Sequence, residues 1–306
     1  MAHSSGLNRS GLLSRVTVAA ITAALVGTST MAMAAETPVA SAKSADVAPA
    51  APRAGTFAAS SASITPTNAL YGINSAGDIY GYGLTGSGGL TASEKTGYGF
   101  QYKKFVTQTD VDNNGASDGI WFVENNRLYY GAWSANRRDL GGGYNIYNRV
   151  FSPSNIGGAA ADDLLARDSA GVLWLYLGYN NGGIAPRVKV GSGWNIYNQI
   201  TGKGDLTGDG KADIVARKSN GELYLYKGTG NYKAPFSSPT RIGGGWNTFN
   251  YLLSVGDMNY DGVADLVARD NGGALWLYKG TGNASSPFHA KVKIGTSGWN
   301  GFKIMF

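Results

Sequence analysis

Three nine-residue stretches concentrate oxygen-bearing side chains: DVDNNGASD from Asp110, DLTGDGKAD from Asp205 and DMNYDGVAD from Asp257. The oxygens fall at loop positions 1, 3, 5 and 9. These are Asp110, Asp112, Asn114 and Asp118 in the first loop, Asp205, Thr207, Asp209 and Asp213 in the second, and Asp257, Asn259, Asp261 and Asp265 in the third. Gly115, Gly210 and Gly262 at position 6 permit the φ > 0 turn that lets such donors converge. Hard oxygens at this density suit Ca²⁺ rather than a transition metal. Three calcium sites are therefore expected, with a structural role, because the ion neutralises carboxylates that would repel one another and pins the turn. The competing reading is an Asp- and Gly-rich turn that holds no ion. A fourth stretch, NIGGAAADD from Asn155, keeps useful oxygens only at Asn155 and Asp163 and is expected to bind none.

The elements around these loops recur. A hairpin phrase appears five times: LYGINSAGDIYGYG from Leu70, IWFVENNRLYYGAW from Ile120, LLARDSAGVLWLYLG from Leu164, IVARKSNGELYLYKG from Ile214 and LVARDNGGALWLYKG from Leu266. In each, two β-branched, apolar or aromatic runs flank a polar turn such as Ser219-Asn220-Gly221. A Gly-aromatic phrase alternates with the hairpins at Tyr98, Tyr144, Trp194, Trp246 and Trp299, at intervals by subtraction of 46, 50, 52 and 53. It supplies one further strand, and the stretch leading into the next such phrase supplies another. Four strands per unit of about 50 residues is the pattern of a β-propeller blade. No sustained 3.6-residue apolar period supports a helical solenoid.

The first hairpin lacks a Gly-aromatic strand before it, whereas the last phrase, GTSGWNGFKIMF from Gly295, begins a repeat that no hairpin follows. The two deficits cancel if the strand after Trp299 pairs into the first blade, which would also hide both open sheet edges. The fold expected is all-β, a five-bladed β-propeller over residues 64–306 whose C-terminal strand closes the first blade.

The acidic loops do not match an EF-hand: the twelfth position from Asp205 is Ala216, where a bidentate Glu is needed, and strands flank the loop. They resemble the calcium loops of FG-GAP or VCBS propeller repeats. The phrases IGGGWNTFN from Ile242 and KIGTSGWNGFKIMF from Lys293 resemble the repeat signature of tachylectin-type five-bladed lectins. The acidic loops depart from that lectin pattern. In such lectins a shallow pocket between blades binds N-acetylated hexosamines and the Gly-Trp phrase lines it. The resemblance thus implies carbohydrate contacts at Trp194, Asn195, Trp246, Asn247, Trp299 and Asn300, with Tyr144 and Asn145 as a weaker fourth pair. An indole can carry the C–H face of a pyranose, while glycine N–H groups and an Asn amide meet hydroxyl or acetamido oxygens. A Trp repeated once per blade is equally what packing between tapered sheets requires, and both roles can coexist on one indole.

Catalysis has little support. The ring holds only Glu94, Glu124 and Glu222, most Asp residues belong to the acidic loops, and glycoside hydrolysis needs two carboxylates at a controlled separation. His289 lies in an expected inter-strand loop, and no nucleophile elbow is present. A binding protein for glycans or cell-wall polysaccharide is expected, not an enzyme, with several weak pockets acting by avidity. Lectins of this build also resemble target-binding subunits of secreted antibacterial toxin particles, which implies protein subunits of a secreted complex as further partners. A protein-binding propeller resembling integrin repeats is the alternative; a polysaccharide hydrolase ranks below both.

The ring is expected to be secreted and extracellular. The 306 residues include 46 Gly and no Cys, so neither disulfides nor thiolate metal sites exist. Arg9 and Arg15 precede the apolar run Val16–Val26 and the small-residue site Ala32-Met33-Ala34, which reads as an export signal over 1–34, too short to span a membrane. An Ala/Ser/Pro-rich linker is expected over 35–63. Loss of the two arginines takes the net charge from +6 to +4, and no Lys/Arg stripe marks a nucleic-acid footprint.

Overall fold

The structure, a computed structural model, describes residues 65–306; the export-signal and linker expectations lie outside the described residues. The first hairpin phrase forms β1 (Leu70–Asn74) and β2 (Ile79–Tyr82), followed by β3 (Glu94–Gly97). A second antiparallel sheet follows in chain order, with β4 (Phe105–Thr109), β5 (Gly119–Glu124), β6 (Arg127–Ala132) and β7 (Arg138–Gly142). The third holds β8 (Tyr147–Ser154), β9 (Asp163–Asp168), β10 (Leu173–Tyr176) and β11 (Val188–Gly191). The fourth holds β12 (Tyr197–Thr201), β13 (Ile214–Lys218), β14 (Leu223–Tyr226) and β15 (Thr240–Gly243). The fifth holds β16 (Phe249–Gly256), β17 (Asp265–Asp270), β18 (Leu275–Tyr278) and β19 (Val292–Gly295). The chain is an all-β, five-bladed propeller, and every repeated phrase of the sequence falls on its expected hairpin.

The last strand, β20 (Phe302–Met305), pairs antiparallel with β1 in the register Gly72↔Met305, Ile73↔Ile304 and Asn74↔Phe302. The backbones of Tyr71 and Phe306 exchange two hydrogen bonds of 2.8 and 3.0 Å, and their rings stack with centroids 5.4 Å apart. Gly72 is required here, because a Cβ at that position would lie 2.6 Å from the Phe302 ring. Tyr251 then links the fifth blade to the first, its hydroxyl 3.0 Å from the Met305 carbonyl. The ring is closed by the pairing of β20 with β1, as the unfinished repeat requires.

The core is distributed over the five seams between blades. Leu165, Leu175, Trp194, Ile200 and Ile214 fill the seam of the third and fourth blades, and Leu70, Leu253, Leu275, Trp299 and Met305 fill that of the fifth and first. Each such side chain contributes about 1.5–3 kcal/mol on full burial, so apolar contact fills the seams between adjacent blades while the backbone ladder hydrogen bonds run within blades. The strands β4, β8, β12, β16 and β20 each form one edge of their sheet, and β20 with β4, β4 with β8, β8 with β12 and β12 with β16 contact one another from blade to blade. Among the described residues no helix is long and apolar enough to cross a membrane.

Candidate functional site

The first two strands of the second to fifth blades are joined by the acidic loops or their degenerate counterpart, so all four loops lie on one face of the ring. Each loop is built around its first residue. In the second blade Asp110 Oδ1 accepts the N–H groups of Asp112 and Asn113 at 3.2 and 2.7 Å, and its Oδ2 accepts that of Gly115 at 2.8 Å. Asp205 and Asp257 repeat this turn, with Gly210 and Gly262 donating to Oδ2 at 2.6 and 2.7 Å. The position-6 glycines have φ of 84°, 78° and 89°, as their place in the turn demands. Position 9 latches the far side. Asp213 accepts from the backbone of Leu206, Thr207 and Gly228, and Asp265 accepts from Met258 and Gly280.

Whether these residues fit a cation is decided by what they leave unpaired. Asp110, Asp112 and Asp118 bring carboxylate oxygens within 4.8 Å of one another. In the other two loops the position-3 oxygens, Thr207 Oγ1 and Asn259 Oδ1, are buried without a hydrogen-bond partner. An orphaned oxygen of this kind costs about 1–3 kcal/mol, and a hard cation would satisfy it. Burial pushes Asp110 up to about 6, Asp213 up to about 7 and Asp265 up to about 6, and raises Asp118 as well. Desolvated carboxylates with neighbours of like charge are the donor set that a divalent cation relieves. At position 5, Asn114 Nδ2 lies 3.0 Å from Asp112 Oδ2, and Asp261 Oδ2 accepts from Asn259 Nδ2 at 2.7 Å. Asp209 instead faces Lys227 at 3.1 Å, so one donor of the second loop already has a counter-charge.

The third blade solves the same problem differently. Asp163 keeps the position-9 latch, accepting from Ile156, Gly157 and Gly178. Beside it, Asp162 Oδ2 lies 2.5 Å from Lys203 Nζ, with side chains 6% and 3% exposed. Lys203 also donates to the Gln108 carbonyl at 3.0 Å, and Asp162 Oδ2 accepts the Asp110 N–H at 2.9 Å. A lysine from the fourth blade thus supplies the positive charge where the loop has lost its oxygens.

On the opposite face, the chain crosses from the outer strand of one blade to the inner strand of the next through the Gly-aromatic phrase. Trp194, Trp246 and Trp299 each open a single 3-10 turn after a glycine of positive φ, and a Cβ on Gly193, Gly245 or Gly298 would meet no atom within 4 Å. The backbone there is open to an approaching ligand. Each aromatic donates its N–H to the hairpin turn of the preceding blade: Trp194 to Gly171, Trp246 to Gly221, Trp299 to Gly273 and Tyr144 to Asn126. In the first crossing the donor is Phe100, bonded to Gly77, while Tyr98 is 47% exposed. The landmark of that repeat is therefore Gly99-Phe100, two residues later than the Gly-aromatic spacing suggested, because the buried ring and not the glycine doublet sets the register.

Three arginines absent from the sequence expectations hold these turns. Arg167 NH1 donates to the Trp194 and Tyr197 carbonyls, Arg217 NH1 to those of Trp246 and Phe249, and Arg269 NH1 to those of Trp299 and Phe302. Their Nε groups are held by Asn148, Asn198 and Asn250. Burial lowers all three guanidinium pKa values. The signal was present as the repeated AR inside LLARD, IVARK and LVARD.

The indoles do pack in the seams: Trp194 lies 4.6 Å from the Tyr226 ring, Trp246 4.5 Å from Tyr278 and Trp299 4.5 Å from Tyr82. Trp194 and Trp299 are 7% exposed, and Tyr144 is buried. Their polar edges remain distinct. Trp121, Trp133, Trp174 and Trp276 donate Nε1–H to Gly182, Ser117, Asp168 and Asp270. Among the described residues the Nε1–H groups of Trp194, Trp246 and Trp299 have no protein acceptor. Trp299 forms one wall of a groove of about 610 Å³ with Tyr82, Phe302 and the segment Lys293–Gly298. Asn145, Asn195, Asn247 and Asn300 are exposed. Asn300 does not line that groove; its amide is engaged by Asn271 and Asn250 at 3.0 and 3.1 Å. Thr296, Ser297 and Lys293 supply the groove's polar groups instead.

Among solved structures, Prp20p from Saccharomyces cerevisiae is similar at 12% identity and TM-score 0.38, over 74% of this chain and 61% of that one. The chain therefore spans about three-fifths of Prp20p. AofleA from Arthrobotrys oligospora is similar at 10% identity and TM-score 0.44, over 75% and 69% of the two chains. A six-bladed β-propeller fungal lectin of Aleuria aurantia, described with a fucose recognition mode, is similar at 12% identity and TM-score 0.40, over 76% and 80%. No curated protein matches the sequence. A family model for the FG-GAP-like repeat matches residues 205–268, from the acidic loop of the fourth blade into the first hairpin strand of the fifth.

Proposed function

We propose that this ring is a secreted, calcium-stabilised, non-catalytic propeller that binds surface glycans through grooves at its blade seams, with N-acetylhexosamine residues as the first candidates. The observation that carries the reading is the three indole N–H groups of Trp194, Trp246 and Trp299. They lack acceptors where the other four tryptophans have them, and each lies beside an open glycine turn. A sugar oxygen is the missing acceptor, glycine N–H groups and the hydroxyls of Thr296 and Ser297 add donors, and the aromatic wall takes the C–H face. No carboxylate lines the Trp299 groove, which favours binding over hydrolysis. Calcium would be held by the three acidic loops, where it supplies charge neutralisation and fixes the turns.

The test is a glycan array with the wild type, Trp299→Phe and Trp194→Phe. Phenylalanine keeps a ring in the seam and removes the N–H, so the array signal should fall at least fivefold while the melting temperature moves by only a few degrees. A blank array for the wild type together with co-purification of one fixed protein partner would favour the protein-binding scaffold. Chelator should lower the melting temperature and added Ca²⁺ restore it; indifference to both removes the metal from the reading.

A further inference from the structure

The outer strand of each blade carries a side chain opposite an aromatic of its neighbour, in the register Tyr80↔Lys95, Trp174↔Lys189, Tyr224↔Arg241 and Trp276↔Lys293. Each of these pairs has a register shift in the same place, and the basic residue stands five or six positions ahead of the aromatic of the crossing, Phe100, Trp194, Trp246 or Trp299. The four cations have different fates. Lys95 is paired with Asp78 at 2.8 Å and Arg241 with Glu222 at 2.9 Å. Among the described residues Lys189 and Lys293 have no carboxylate within ion-pair distance. Lys293 Nζ instead lies over the Trp276 ring at 4.8 Å, beside Lys291 at 4.5 Å, and it lines the Trp299 groove. The nearest acid on its strand pair, Asp270, is already engaged by the Trp276 indole and the Ala274 N–H at 2.8 and 2.9 Å. In the second blade the equivalent residue is Asp139, which pairs with Arg127 at 2.5 Å.

Two ammonium groups thus converge on a ring whose indole N–H is held by the single carboxylate of Asp270, which leaves an excess of positive charge beside a groove that no carboxylate lines. We propose that the seam at Trp299 selects anionic glycans, with Lys293 as the specificity-determining residue. The inference rests on the glycan-binding reading and narrows it to sugar chains that carry a carboxylate or phosphate beside the residue seated on the indole. An exposed ammonium contributes modestly to such a contact and is screened by salt, so the preference is expected to be several-fold and ionic-strength dependent.

The probes are a hyaluronan octasaccharide, in which N-acetylglucosamine alternates with a uronate, its carboxyl methyl ester, and a neutral chitin oligosaccharide. Titration calorimetry at low salt should give the acid about threefold to fivefold tighter binding than the ester for each engaged lysine, and the advantage should shrink at 0.5 M NaCl. The Lys293→Gln variant should bind acid and ester alike, with an unchanged melting temperature, whereas Arg241→Gln, a change on another blade, should keep the preference. Equal binding of acid and ester by the wild type, or a preference that survives in Lys293→Gln, overturns this proposal while chitin binding leaves the glycan reading standing. Binding to none of the three overturns both.

Discussion

Glu124 ends β5 with its carboxylate between two cations, Lys103 Nζ at 2.5 Å and Arg137 NH1 at 2.5 Å. The Lys103 ammonium is 1% exposed and sits 5.0 and 5.1 Å from the Phe100 and Phe122 ring centroids, in the seam of the first two blades. Burial alone would raise the Glu124 pKa, but the hydrogen bonds and charges of Lys103 and Arg137 outweigh it and hold the carboxyl below its ordinary value. A depressed folded-state pKa means stabilisation that is complete above the ordinary carboxyl value of about 4.3 and lost as pH falls through the lower folded value. Glu124→Gln leaves Lys103 buried and uncompensated, and with the carboxylate near the surface the loss should be about 2–3 kcal/mol at pH 7. In urea melts the gap to the wild type should close as pH drops below about 4; a gap unchanged at pH 3 contradicts the assignment. Such pairs were not legible in the sequence. Lys103 and Glu124 stand 21 residues apart with no counterpart in other repeats, so periodicity gave them no signal. Arg167, Arg217 and Arg269 were visible as repeated charges within apolar strands, yet their acceptors are carbonyls of the next blade, which no local pattern reveals.

At the scale of the element, the four loops between the first two strands of the second to fifth blades are alternative solutions to one problem: how to close a tight turn around buried acids. Three do so with oxygen-rich loops and one with Lys203, a side chain buried to 3% and reaching Gln108, Ser152 and Asp162. Lys203→Met should cost about 3–5 kcal/mol, because Asp162 is left charged and desolvated. The Lys203→Met/Asp162→Asn double variant should recover part of that loss, since no uncompensated charge remains. A double-mutant cycle by chemical denaturation measures the coupling, and additive losses would show that the pair is not the internal cation site described above. Elements themselves were read well: alternating runs around Asn-Gly and Gly-Gly turns have one low-energy outcome, a hairpin, and all five formed. The loop of the third blade, from Asn155, offers the sequence only an absence of ligands, because its replacement lies 41 residues away. The first crossing was misplaced from Phe100 to Tyr98 because a glycine on either side of Tyr98 imitates the phrase without burying the ring.

For the whole molecule, five wedge-shaped sheets close a circle only if the last seam is as well packed as the others. That seam depends on β20, an inner strand donated by the end of the chain, which also carries one of the two carbonyls held by Arg269 and the one held by Tyr251. The apolar share of this chain end is concentrated in Met305, in the seam of the fifth and first blades, and in Phe306 just after β20, in the seam of the first and second; they are 3% and 7% exposed. Burial of two such side chains amounts to about 3–6 kcal/mol, and each backbone hydrogen bond to β1 adds about 1 kcal/mol. The sum is comparable with the whole stability of a typical domain, about 5–15 kcal/mol. Deleting 302–306 should therefore abolish the single cooperative melt rather than lower it by a few degrees, and expose the edge of β1 to association between copies. A synthetic peptide spanning 298–306, added in excess, should restore both the transition and the monomer, because the vacated register on β1 specifies one partner strand. A truncated chain that melts like the wild type would mean that the seam of the fifth and first blades holds without β20, and that closure by the chain ends is not what makes the ring stable.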